Sequence, residues 1–278
     1  MIKTIIPLPV GNAIQIFLEP PLAASKWLVL RKTTNDISGV ADAAAYNVYE
    51  GSLRFFVDDG GLQNGVPYFY VAFYWDGSAW TPSASATCTP SASYSDLSTD
   101  AFVVVRDRLV AGIGVELARK SIQAKTGVIE VKTAPPIWEA THWPVVSLAL
   151  QMETPQERGV GEDVWMDDFD GQFWNEHVGW LARVQLAIVA WCQNPDERIA
   201  LRQAIRRIVV ANLPVFESHG MIKVELSQQH ADAVSGEYPA PVYQAVSTFS
   251  CLAPILVGSQ VDPITDVTVT ATAIEETL

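Results

Sequence analysis

Carboxylates crowd most densely at Glu162-Asp163-Val164-Trp165-Met166-Asp167-Asp168-Phe169-Asp170-Gly171. The first chemistry to test there is calcium binding. Setting Asp168, Asp170 and Gly171 at loop positions three, five and six puts Met166 at position one and His177 at position twelve. Neither supplies the carboxylate that a calcium loop needs at its two ends. The run therefore reads as a loop between two strands, either solvated or in contact with a partner. Trp165, Asp167, Asp168, Phe169, Asp170 and Trp174 are its candidate interface residues, with Phe173 beside them. Large aromatics interleaved with acids are costly to leave in water, which favours the contact.

The other reactive side chains form no recognisable site. His142, His177, His219 and His230 show no metal-ligand spacing. There is no G-x-S-x-G elbow, no GxGxxG and no phosphate-binding GxxxxGK[ST]. The expectation is a chain with no enzymatic activity and no cofactor or metal. Arg198, Arg202 and Arg206 recur every fourth residue and so share one side of a helix, with Arg207 adjacent. Ile199, Ile205, Ile208 and Val209 mark the expected core side. The arginines read as a solvated face with local ion pairs, a stripe meeting an acidic neighbouring subunit, or a stripe facing DNA in a channel. The overall acidity favours the neighbour.

That acidity is a net charge of −13 with a pI near 4.6, which argues against nucleic-acid binding by the protein as a whole. A channel through which DNA slides without sticking is compatible with it. Hydrophobic content of 49% with 18% charge fits a globular chain, and 278 residues suffice for two domains. Nine tryptophans are more than core filling ordinarily uses, so some belong at interfaces. Cys88, Cys192 and Cys251 form no CxxC pair, and a reduced cytoplasmic compartment is expected. Proline follows too soon after the first residues for a signal peptide, and no apolar run approaches a membrane span, so no membrane partner is expected.

Two kinds of element must position these residues. Up to about residue 95 the chain is written in short strands, including Ile14–Leu18, Trp27–Lys32 and Tyr68–Trp75. Turn signals separate them, among them Asp59-Gly60, Asn64-Gly65 and Asp76-Gly77. The run Asn64-Gly65-Val66-Pro67-Tyr68-Phe69-Tyr70-Val71 resembles a strand of fibronectin type III modules, where a tyrosine anchors a corner, and Trp27 matches the early core tryptophan of that module. The resemblance covers roughly 75 residues and concerns fold alone.

Beyond a Ser/Thr/Pro-rich stretch the pattern changes to helix-strand-strand-strand-helix-strand-strand. A long amphipathic helix is expected over Thr99–Ala124, capped by Thr99 or Asp100, with Phe102, Val105, Leu109, Ile113, Leu117 and Ile122 inward. Gly112 and Gly114 within it mark close packing or a kink. Strands are expected at Ile129–Lys132, Val145–Gln151 and Trp180–Trp191. Asn194-Pro195-Asp196-Glu197 then starts a second helix that Pro214 stops near Leu213. Strands at Met221–Leu226 and Tyr243–Cys251 complete the set. From Gly258 an alternating tail follows, with Val267 and Val269 as candidates for strand addition to another chain. The expected boundaries are a β-sandwich over 1–92, a linker over 93–100, an α+β domain over 101–257 and an extended tail over 258–278.

The α+β part resembles bacteriophage tail-terminator and tail-completion proteins, most of all over Val184–Arg198 and the alternating strand ending Phe249-Ser250-Cys251-Leu252-Ala253-Pro254. The resemblance is one of element order. It implies a virion protein of the tail or neck, assembled in the host cytoplasm. The expected assembly is a homo-oligomeric ring, hexameric, that caps the tail tube, joins it to the neck or connector and lets DNA pass. A sheath subunit is a further expected partner for the C-terminal tail. The rival expectation is a baseplate or other tail protein whose sandwich binds surface carbohydrate on exposed Trp75 and Trp80.

Overall fold

The computed structural model describes residues 1–138, 141–156, 168–169, 174–233 and 241–261. They form two compact units, one comprising residues 1–95 and the other 96–156 with 177–258; residues 168–169, 174–176 and 259–261 cluster with the first.

The first unit is all β. A three-stranded sheet of β1 (Ile2–Pro7), β2 (Ile14–Leu18) and β5 (Phe55–Asp58) shares a core with β4 (Tyr46–Gly51), β3 (Lys26–Lys32), β6 (Tyr68–Trp75) and β7 (Trp80–Pro82), and β8 (Ala86–Cys88) also pairs with β6. Period-two alternation decides which side chains fill that core. Ile14, Ile16 and Leu18 from β2 meet Trp27 and Val29 from β3 and Tyr68, Tyr70, Ala72 and Tyr74 from β6. Leu28, Leu30, Val71 and Phe73 point the other way and are buried under Ile37, Ala45 and Trp80. Trp27 donates its indole N–H to the Leu53 carbonyl at 2.7 Å, and the Tyr68 hydroxyl accepts the Gln63 amide at 3.0 Å. Arg31 is buried at the end of β3, stacked on Tyr46 and Tyr68, and donates to Asp58 at 2.6 Å and to the Gly60 carbonyl at 2.8 Å. Tyr70 donates to the same Asp58 oxygen at 2.8 Å, so the buried charges are paired.

After β9 (Ser95–Asp96), the second unit sets helices α1 (Ala101–Ala118), α2 (Pro195–Ala211) and α3 (Leu213–Ser218) on a sheet. The strands are β10 (Val131–Lys132), β11 (Val145–Pro155), β13 (Trp174–Cys192), β14 (Ile222–Ala233) and β15 (Val242–Val261), in the order β10-β11-β13-β15-β14. Separately, β12 (Asp168–Phe169) pairs with Asn175 and Trp174. β10 runs parallel to β11, whereas β11 with β13 and β14 with β15 are antiparallel. Asp100 caps α1 by accepting the Val103 amide at 3.0 Å, and Asn194 caps α2 by accepting the Glu197 amide at 2.8 Å.

Several boundaries differ from expectation for physical reasons. The first helix ends at Ala118 because Lys120 takes a φ of +59°, and Ile122 enters the core from the turn that follows. Pro214 does not stop the second helix. Asn212 does, by folding its side-chain amide back onto the Ile208 carbonyl, and Pro214 lies in the first turn of α3, where no amide donor is needed. The strand expected at Ile129–Lys132 pairs only over Val131–Lys132, whereas β11, β13, β14 and β15 run well past the apolar stretches that suggested them. Among the described residues no helix is long and apolar enough to cross a membrane.

Candidate assembly interface

Strands and helices cover very different lengths per residue. The 19 residues of β13 span about 60 Å, whereas the 18 of α1 span about 27 Å. The helices therefore shield only part of the sheet. On β13 the sealed stretch begins at Ala182 and continues at every second residue to Cys192. Before it Trp180 is 43% and Val178 64% exposed.

Where α1 begins, this mismatch opens a groove of about 480 Å³. Its floor is apolar, made by Phe102, Leu150, Val184 and Ile255, with Leu150 51% exposed. Its rim is acidic, made by Asp96, Asp100 and Glu153. Hydrogen bonds from the Ser98 side chain and amide hold the Asp96 carboxyl below its ordinary range, so it stays charged. Leu97 and Thr99 fix the segment before α1 by donating their amides to Leu256 at 2.9 Å and Pro254 at 2.8 Å. Such a groove suits a ligand with an aliphatic anchor and a positive charge.

A second surface is the outside of α1. Its apolar residues run round the whole helix, and a helix of that kind is ordinarily buried on all sides. Here Val105, Leu109 and Ile113 are sealed, while Val110 and Val115 are 53% and 48% exposed, with Ala111 and Gly114 between them. Gly112 faces α2 so closely that a Cβ there would stand 2.6 Å from Ile208, whereas one at Gly114 would meet nothing within 4 Å. Glu116 is buried and bonded by Arg207 of α2 and by Ser121; the Arg207 bond is the main reason its carboxyl lies below the ordinary range.

The structure divides the arginine stripe. Arg198 is only 9% exposed and lies over the Tyr243 ring at 5.9 Å, whereas Ile199, expected inside, is 38% exposed. Leu201, Ala204, Ile205, Ile208 and Val209 form the inner face instead. Arg202 is half-buried; its carbonyl accepts Gln228 at 3.0 Å, and its Nε has no hydrogen-bond partner among the described residues. Arg206 and Arg207 are exposed, as is Val210. Of the acidic aromatic run, Asp168 and Phe169 lie opposite Asn175 and Trp174 in a short antiparallel pair, and Trp174 is exposed. Trp165, Asp167 and Asp170 lie outside the described residues, as do Val267 and Val269. Trp75 and Trp80, expected to be exposed, are half-buried, with ring centroids 5.4 Å apart and Lys26 over Trp80. Among the described residues no three His, Cys, Asp or Glu side chains gather as a metal site.

No protein-family model matches the chain, and no curated protein matches it. Among solved structures the chain is similar to one from the cryo-EM structure of an extracellular contractile injection system, the PVC sheath/tube terminator in its extended state. The identity is 15%, the alignment covers 65% of this chain and 65% of that one, and the TM-score is 0.36. The match thus spans less than two thirds of that chain's length, and a likeness of this degree decides neither fold nor function.

The groove residues are the ones that sequence reasoning misses. Asp100 is legible only as a cap, Phe102 only as a core position and Leu150 and Val184 only as strand residues, while Asp96, Glu153 and Ile255 carry no local signal. The mismatch that opens the groove arises only in the fold, where pairing lengthens the strands and α1 ends at Ala118.

Proposed function

We propose that this chain is a non-enzymatic building block of a tail-like particle, of phage or injection-system type. It forms a closed ring, hexameric, that caps the tail tube, contacts the sheath and neck, and leaves a channel for DNA. The first unit is a fibronectin-like module; its Tyr68 hydroxyl at the Gln63 amide and buried Trp27 support this. The second unit carries the ring contacts, as its resemblance in element order to tail terminators implies. The observation that carries the assembly reading is the outside of α1, where Val110 and Val115 stand exposed with Ala111 and Gly114 between them. Leaving that face in water is unfavourable by roughly 25 cal/mol for each Å² of apolar surface, so a partner that covers it is favoured.

The test is native mass by light scattering, negative-stain imaging of the same fraction, and co-sedimentation with purified tail tubes. A ring of about six copies with a central hole, bound at tube ends, is the expected result. A protein that stays monomeric and ignores tubes would falsify the reading. The carbohydrate-binding alternative asks for presented tryptophans, and Trp75 and Trp80 are instead half-buried against each other.

A further inference from the structure

We infer that the acidic groove at the start of α1 receives the outer face of α2 from a second copy of this chain. The inference rests on the ring reading and specifies its contact. The groove offers an apolar floor, Leu150 and Val184 among it, under the carboxylates Asp96, Asp100 and Glu153. The outer face of α2 offers the complementary pattern: Ile199, Gln203, Arg206 and Val210 recur at steps of four, three and four residues and are all exposed. That is the spacing with which a helix places anchors in a groove. Arg202 lies beside the stripe, its Nε lacking a hydrogen-bond partner among the described residues.

Charge selects the occupant. A chain of net charge −13 repels its own copies unless a cationic patch meets an acidic one. This unit carries both patches, and on different elements. The groove lies at the first turn of α1, lined by residues of β11, β13 and β15. The arginines lie on α2, which packs against α1 and against the edge strand β14. One copy can therefore give its helix to one neighbour and its groove to another. Such a head-to-tail contact uses two different patches, and it closes into a ring when the rotation per copy divides the circle.

Reversal of one charge, and then of both in the same chain, tests this. The full-length chain, Glu153→Arg, Arg206→Glu and the double variant are compared by sedimentation over a concentration series, with circular dichroism confirming the fold of each. We expect either single reversal to raise the concentration needed for assembly on the order of 10- to 100-fold. The double variant, whose opposite charges meet again across the contact, recovers most of that loss. Additive losses in the double variant overturn the inference, as does weakening by Glu153→Arg alone, which would give the groove to another partner. Rings that persist unchanged in both singles refute this contact while leaving the ring reading intact. A wild-type chain that stays monomeric at every concentration also overturns it, and the capping reading then stands or falls on tube binding alone.

Discussion

Two glycines in α1, two residues apart, should respond to alanine with opposite signs. At Gly114 an added methyl meets nothing within 4 Å, so Gly114→Ala gains helix propensity alone, about 0.5–1 kcal/mol. At Gly112 the same methyl would stand 2.6 Å from Cγ1 and Cγ2 of Ile208 and 3.0 Å from its Cδ1. Carbon atoms rest about 3.5–4.0 Å apart, so the two helices must separate by roughly 1 Å or Ile208 must leave its rotamer. Ile208 is buried and branched at Cβ, and overpacking of this kind costs about 1–3 kcal/mol. Set against the propensity gain, Gly112→Ala should be destabilising by about 0.5–2 kcal/mol. Urea unfolding followed at 222 nm reads this directly, because the three helices among the described residues lie in the second unit. Adding Ile208→Ala to Gly112→Ala should cost clearly less than adding it to the wild-type chain, with a coupling on the order of 1 kcal/mol. If both alanine variants stabilise equally and no coupling appears, the close approach of α1 to α2 at Gly112 is refuted.

Three further outcomes are expected. Arg31→Met strands the buried Asp58 carboxylate and should destabilise the first unit by about 3–5 kcal/mol; a change under about 1 kcal/mol in tryptophan-detected unfolding would contradict the pairing. Burial pushes the Cys192 and Cys251 thiols up to about 12 and raises that of Cys88, so none should react with a thiolate-directed reagent at pH 8 until denaturant is added. Rapid labelling of the native chain would count against that burial. The backbone amides of Ser38 and Ala44 hold the Asp42 carboxyl at about 2, below its ordinary value of 3.8. Its contribution is therefore present above the ordinary value and lost as pH falls from about 4 to about 2. Asp42→Asn should remove that acid dependence from the first unit, and an unchanged acid limb would show that Asp42 does not carry it.

The sequence alone determined what depends on neighbours along the chain. The strands at Ile14–Leu18 and Tyr68–Trp75 are legible as short apolar runs bounded by turn signals, whereas both faces of Tyr68–Trp75 are buried and only the fold decides what each meets. Asn194-Pro195-Asp196-Glu197 settles the start of α2, since cap, fixed φ and acidic first turn act within one turn. Only tertiary structure decided which sides of those elements are covered. Helical spacing gathers Arg198, Arg202 and Arg206, yet it is Tyr243, lying over the Arg198 guanidinium, that takes one of them out of water. Spacing likewise cannot tell that Ile199 faces outward while Leu201 and Ile205 meet the sheet. The groove is the extreme case. Asp96 and Ile255 stand far apart in sequence and meet because β9 pairs with β15. Propensity acts over a few residues, whereas burial and charge pairing depend on whatever the folded chain brings alongside.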